Sequence, residues 1–264
     1  MFNSWMLARV AGGYFSQVYL VELALMVWMI YTADHLMDAR TIQHTASTPR
    51  HRFHQRHSVV MTVLLVLSAV LFLYLIPADT GAKLWRNALL LFALIVVYLA
   101  SLIWARKRGF RYVYKELFIA VVYVAGLAIV PLSKADEPFT WLTGIYLVRL
   151  FCLAHVNLLL FSLLEYEVDL RDEHPSVLKW FGPAKVKGFI KGMLVLGPVL
   201  GLLALYLDPA HQTELLILSA MELVIILVYA LRKYLVMGEL YRVLGDGLFL
   251  LPGLLWIYET FQRL

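Results

Sequence analysis

Apolar residues run along this chain in stretches of about 18 to 22, separated by short segments rich in charge, glycine or proline. A helix rises about 1.5 Å per residue, so each stretch is long enough to cross roughly 30 Å of hydrocarbon. The pattern predicts eight membrane-spanning helices, at residues 14–33, 58–76, 84–104, 117–132, 141–164, 189–207, 215–231 and 243–258. The stretches at 117–132 and 243–258 are short, which predicts a tilted helix or one extended past these bounds. Residues ahead of the first stretch lack the short apolar core and small-residue cleavage site of a secretory signal, so that stretch is read as retained. The expected fold is a single all-α domain over 1–264, a polytopic membrane helical bundle.

Composition agrees. Of 264 residues, 62% are hydrophobic and 16% charged, with a mean hydropathy of +0.76, far from an ordinary soluble domain. The single cysteine, Cys152, excludes an intrachain disulfide and a cysteine-built metal cluster. A net charge of +5 could suit nucleic acid, but the basic residues occupy short loops between apolar stretches, so no nucleic-acid partner is expected.

Those loops predict orientation, because cytoplasmic loops accumulate Lys and Arg. Segments after the odd-numbered stretches hold seventeen, among them Arg40, Arg50, Arg52, Arg56, Lys115, Arg171 and Arg242; the opposite side holds five, Arg9, Lys83, Arg86, Lys134 and Arg263. Arg149 is left inside a stretch. Odd-numbered loops are therefore expected in the cytoplasm and both termini outside.

Acidic residues are costly at membrane depth, so those at the ends of stretches carry information. The first stretch leads into Asp34, Asp38 and Arg40, and the fifth into Glu165, Glu167, Asp169, Arg171 and Asp172; a shift of 131 residues superimposes Asp34 on Glu165, Asp38 on Asp169 and Arg40 on Arg171. Positions i and i+4 share a helix face, so each motif sets two carboxylates one turn apart. Four stretches separate the motifs, placing both on one side and predicting two pseudo-repeated four-helix halves, roughly 14–132 and 141–258, related by an axis along the membrane normal. Paired carboxylates repel, and a bound cation relieves them; oxygen ligands without cysteine favour Mg2+ held through carboxylates and substrate phosphate.

On these residues the chain resembles the UbiA superfamily of intramembrane prenyltransferases. Asp34 and Asp38 match the last two aspartates of that family's first motif, Thr48, Pro49 and Arg50 stand at its arginine element, and Glu165, Glu167 and Asp169 look like its second motif, with Asp172 behind. Lys115 and Glu116 at the start of a stretch, with Gly126 further in, extend the likeness over most of the chain. Two features depart from the family: Ile30 and Tyr31 stand where it opens with Asn and Asp, and no glycine follows the second motif. The family usually has nine helices, and here its first is missing or reduced to the residues before Tyr14.

The resemblance implies transfer of an isoprenyl group from its diphosphate to a hydrophobic acceptor, an aromatic ring or an alcohol. Asp34, Asp38, Glu165 and Asp169 would be catalytic and, with Asp172, hold magnesium against the diphosphate. Arg40, Arg50, Lys115 and Arg171 are the expected diphosphate contacts, since guanidinium forks and ammonium groups suit phosphate oxygens. Asn157, eight residues before Glu165 and close to its helical face, is the candidate for an acceptor pocket, and Tyr123, Tyr146 and Tyr166 are among the aromatics able to shield a cation. The expected setting is a bacterial plasma membrane, with the acidic motifs facing the cytoplasm and lipids around the bundle.

Other readings compete. A UbiA-like scaffold that binds lipid without turnover fits the altered first motif. His44, His51, His54 and His57 suggest a histidine-cluster di-iron oxidase, but His35, His155, His174 and His211 are scattered. Asp38 and Arg40 resemble part of a CDP-alcohol phosphotransferase element whose glycine and later aspartates are missing. Transport is disfavoured on the expectation that no ionisable chain runs through the middle of several spans.

Overall fold

Every predicted stretch lies on a helix in the computed structural model of the chain, which describes residues 1–13, 15–41, 45–46, 49–76, 81–107, 115–171 and 176–262, with the side chains of 38, 41, 50, 98, 99, 102–107 and 169 outside the description. The helices are α1 (Phe2–Val10), α2 (Gln17–Thr41), α3 (Pro49–Arg56), α4 (Ser58–Leu75), α5 (Ala82–Lys107), α6 (Lys115–Lys134), α7 (Trp141–Leu164), α8 (Tyr166–Arg171), α9 (Leu178–Leu207), α10 (Gln212–Leu235), α11 (Leu240–Gly247) and α12 (Leu251–Gln262). Among the described residues, seven helical stretches are long and apolar enough to cross a membrane: those of α2, α4, α6, α7, α9 and α10, and the Met237–Gln262 segment. The remaining predicted stretch coincides with the 26-residue α5. The protein is an all-α, polytopic bundle and an integral multi-pass membrane protein.

Three boundaries differ from the hydropathy reading. α2 continues to Thr41, eight residues past the predicted 33, so Asp34, Asp38 and Arg40 lie within its last turns. α9 begins at Leu178, eleven residues before the predicted 189, and breaks at Gly182 (φ 72°, ψ 159°), which only glycine adopts readily, ahead of Pro183. The last stretch is two short helices, α11 and α12, joined through the turn Leu248–Leu250.

α7 occupies the centre. It packs against α1, α6, α9, α10 and α11, and its buried face runs from Leu142 through Tyr146, Leu150, Leu153 and Val156 to Leu160. α2 pairs instead with α3 and α4 and meets the rest mainly through α6. α4 buries no residue within the chain, as expected of a helix surrounded by lipid.

Arg149, fully enclosed in the middle of α7, is the charge the loop count left unassigned. Its Nε and Nη2 donate to Glu222 of α10, each at 2.8 Å, and Nη2 also donates to Ser219 at 2.8 Å. Glu222 is only 4% exposed. α9 closes over this pair because Gly197 and Gly201 face it: a Cβ at Gly197 would lie 2.7 Å from Glu222 Oε1, and one at Gly201 2.7 Å from Arg149 Nη2. Arg149 was visible inside its stretch, but its partner was not, since hydropathy averages a lone charge into its apolar window.

The residues before Tyr14 form α1, too short to span yet buried against α6 and α12. Pro131 interrupts α6 and has no N–H for the Leu127 carbonyl one turn back. Ser4 Oγ supplies the missing donor at 2.6 Å. Asn3 Nδ2 donates to the Phe249 carbonyl at 3.2 Å, and Arg9 bridges Glu214 of α10 at 2.5 Å and Glu259 of α12 at 2.8 Å. These polar contacts of α1 answer acceptors on the bundle that apolar helices cannot satisfy.

Removing one member of the buried pair strands a charge. Arg149→Leu or Glu222→Leu should each cost about 3–5 kcal/mol, whereas the double substitution should recover most of it. Thermal unfolding of the detergent-solubilised variants, followed by tryptophan fluorescence, checks this.

Candidate functional site

The predicted acidic motifs lie at one end of the bundle. Asp34, in the penultimate turn of α2, pairs with Lys115 Nζ of α6 at 3.0 Å, its side chain 31% exposed. The next residue, Glu116, reaches the other way: its Oε1 accepts from Ser162 Oγ of α7 at 2.7 Å and from the Val177 amide at 3.1 Å. Glu165 follows Ser162 by three residues and accepts from Tyr241 Oη of α11 at 2.6 Å and from Arg242. The first turn of α6 therefore ties the end of α2, carrying one motif, to the end of α7, carrying the other.

The two motifs differ in backbone. The first lies on one continuous helix. In the second, α7 ends at Leu164, Glu165 is the capping residue (φ −100°, ψ 7°), and Asp169 lies on the separate helix α8. The i, i+4 arrangement expected in both halves holds only in the first, because the helix breaks at Glu165 before α8 begins.

Of the other predicted residues, Arg40 donates to Thr62 of α4 at 3.4 Å, and Arg171 is exposed at the end of α8. Asn157 is buried on α7 and donates to Asp246 of α11 at 3.2 Å. The side chains of Asp38, Arg50 and Asp169, and all of Asp172, lie outside the described residues. Lys115, expected on diphosphate, holds Asp34 in this state.

Asp34 and Glu165 are both oxygen donors, the chemistry magnesium prefers. Asp34 suits a cation better, since its carboxylate is partly open and its partner is a flexible lysine able to turn to a phosphate. Glu165 is already satisfied by a phenol and a guanidinium. Among the described residues no three His, Cys, Asp or Glu side chains converge as a metal site. His35, His51 and His54 come together at the α2–α3 contact, with ring centroids 5.7 Å and 5.1 Å from His35 to the other two, and Tyr31 stacks on His35 at 4.0 Å. Their sequence proximity was visible; their role as the packing face of α3 was not.

A cavity of about 10 Å³ lies apart from this end, among Cys152, Leu194, Gly197, Pro198 and Glu222. It is the size of a single water rather than of a substrate.

Sequence reasoning missed Ser162, Tyr241, Arg242 and Asp246 as members of this region. The available signal was Arg242 and Asp246 at i, i+4, charged residues of opposite sign at the head of an apolar stretch.

No family model matches the chain, and no curated protein or solved structure matches it.

Glu116→Ala removes the acceptor of the Val177 amide. Deuterium uptake at 177–180 should then rise at least about tenfold, as expected for loss of a roughly 1.4 kcal/mol contact, while Glu116→Gln, which keeps an acceptor oxygen, should stay near wild type by hydrogen-exchange mass spectrometry.

Proposed function

We propose that the protein is a magnesium-dependent intramembrane transferase that moves an isoprenyl group from its diphosphate to a hydrophobic acceptor bearing an aromatic ring or an alcohol. The observation that carries the reading is that the first turn of α6 ties the helix ends bearing two carboxylates 131 residues apart in sequence, Lys115 pairing with Asp34 and Glu116 bonding Ser162, three residues before Glu165. The resemblance of both motifs to those of the UbiA superfamily supplies the reaction class. The loop charges support placing this end in the cytoplasm, where soluble isoprenyl diphosphates are delivered.

On this reading Asp34 and Asp38 hold magnesium from one side, and Glu165 and Asp169, with Asp172, from the other. The ion supplies charge neutralisation for the departing diphosphate. Lys115 leaves Asp34 to meet a phosphate oxygen, and Arg40, Arg50 and Arg171 are the further candidates for diphosphate contacts. The isoprenyl tail lies among the apolar helices, and the aromatic side chains around Glu165 keep water from the allylic cation. Arg242 holds the Glu165 carboxylate in place through its contact and its stacking on Phe161, 4.5 Å from the ring centre.

A second reading, a non-catalytic scaffold that binds lipid, is favoured by the pairing of Glu165 with Tyr241 and Arg242, which already satisfies that carboxylate. Turnover separates the two. Purified protein with magnesium and radiolabelled geranyl, farnesyl or geranylgeranyl diphosphate should release diphosphate when membrane lipid extract supplies the acceptor. Asp38→Asn and Asp169→Asn should each lower that release at least about a hundredfold. Binding without release supports the scaffold, and normal release by both variants refutes the two-motif site.

A further inference from the structure

Helices α7 and α11 are joined by two polar rungs. The outer one, at the end of α7, is Glu165 with Tyr241 and Arg242; the inner one is Asn157 with Asp246, Nδ2 donating to Oδ1 at 3.2 Å. Asn157 and Phe161 are spaced by four on α7, with Glu165 four further at its cap, and Arg242 and Asp246 by four on α11, so the rungs stack along facing helix surfaces. Phe161 fills the space between them, its ring under Arg242 and edge-on to Tyr241 at 5.8 Å. Gly245 permits the close approach, because a side chain there would collide with the amide oxygen of Asn157.

Eight residues of helix place Asn157 about 12 Å deeper than Glu165. Asp246 lies inside the apolar Met237–Gln262 segment, where a carboxylate facing lipid is costly. It is nevertheless exposed, while its partner Asn157 is 4% exposed on the most enclosed helix. A carboxylate anchored to the bundle's central helix and exposed within an apolar segment is placed to meet a polar group rather than hydrocarbon. Tyr123 of α6, edge-on to Phe249 at 5.4 Å, lies within electrostatic reach and adds an aromatic wall.

We infer that Asp246, oriented by Asn157, is the site that takes the hydroxyl of a membrane-soluble phenol or alcohol. Its place in catalysis rests on the isoprenyl-transfer reading; its recognition of an O–H donor does not. In transfer, the acceptor forms its new bond to the allylic carbon, the carbon–oxygen bond to diphosphate breaks with its electron pair leaving on diphosphate, and the acceptor's proton passes to the Asp246 carboxylate. Asn157 is a positioning residue that holds that carboxylate toward the acceptor.

The test uses the full chain in lipid nanodiscs and two probes, 4-dodecylphenol and its methyl ether, compared by isothermal titration. Wild type should bind the phenol at least about tenfold more tightly than the ether, the worth of one hydrogen bond to a charged acceptor. Asp246→Leu should bring the two probes within about twofold of each other, and Asp34→Asn should leave the preference intact. Asp246→Asn, which keeps the side-chain shape, guards against misfolding and should also weaken the preference. Equal affinity for phenol and ether in wild type, or a preference that survives in Asp246→Leu, overturns the proposal. With geranylgeranyl diphosphate and magnesium, Asp246→Leu should bind diphosphate like wild type while transfer falls at least about a hundredfold; loss of diphosphate binding as well would make Asp246 structural and overturn its catalytic role. A phenol preference that depends on Asp246 in a wild-type protein that binds no isoprenyl diphosphate would sink the transfer reading and leave the hydroxyl site standing.

Discussion

The ion pair buried inside the bundle, Arg149 with Glu222, fixes how the helices around α7 can pack. Two charges in a low-dielectric interior tolerate one arrangement, with Nε and Nη2 of the guanidinium on the two carboxylate oxygens, and any slip of α10 along α7 would break that pairing. Apolar helices in lipid have little to set their register, because a leucine face packs almost equally well one turn up or down. The ion pair removes that freedom. Gly197 and Gly201 let α9 close over it, so a third helix is brought to a defined height by the same contact.

The register fixed in the middle is transmitted to both ends. At one end Arg9 joins α1 to α10 and α12 through Glu214 and Glu259, and Ser4 fills the acceptor that Pro131 leaves on Leu127. At the other end α7 presents Ser162 and Glu165 to α6 and α11. The candidate site is thus an outcome of helix register: Glu116 meets Ser162, and Asp246 meets Asn157, only when α6, α7 and α11 stand at the heights the interior sets.

Much of the fold was legible because its signal is additive. Long apolar runs, broken by charge, give helices whatever their neighbours do, and all eight predicted stretches are helical. Individual polar residues are harder to read. Asp34 and Glu165 were visible as a repeated motif, but Lys115 as the partner of Asp34, Glu116 as the tie between motifs, and Arg242 as the partner of Glu165 depend on helices far apart in sequence. The repeat also suggested two equivalent acidic turns, whereas the second is split at Glu165 by a backbone turn that hydropathy does not register.

The sequence by itself determined the all-helical, membrane-crossing architecture, the approximate spans and the residue types available for chemistry, because these follow from local hydrophobicity and from the requirement that backbone groups in lipid bond within their own helix. Tertiary structure alone decided that the residues before the first span form a buried helix, that Arg149 finds Glu222, and that Asp246 stands one turn inward from Arg242 beside Asn157. Those outcomes depend on which helix faces meet and at what height, and in a chain whose helices are uniformly apolar only a few buried polar groups make one such arrangement better than the rest.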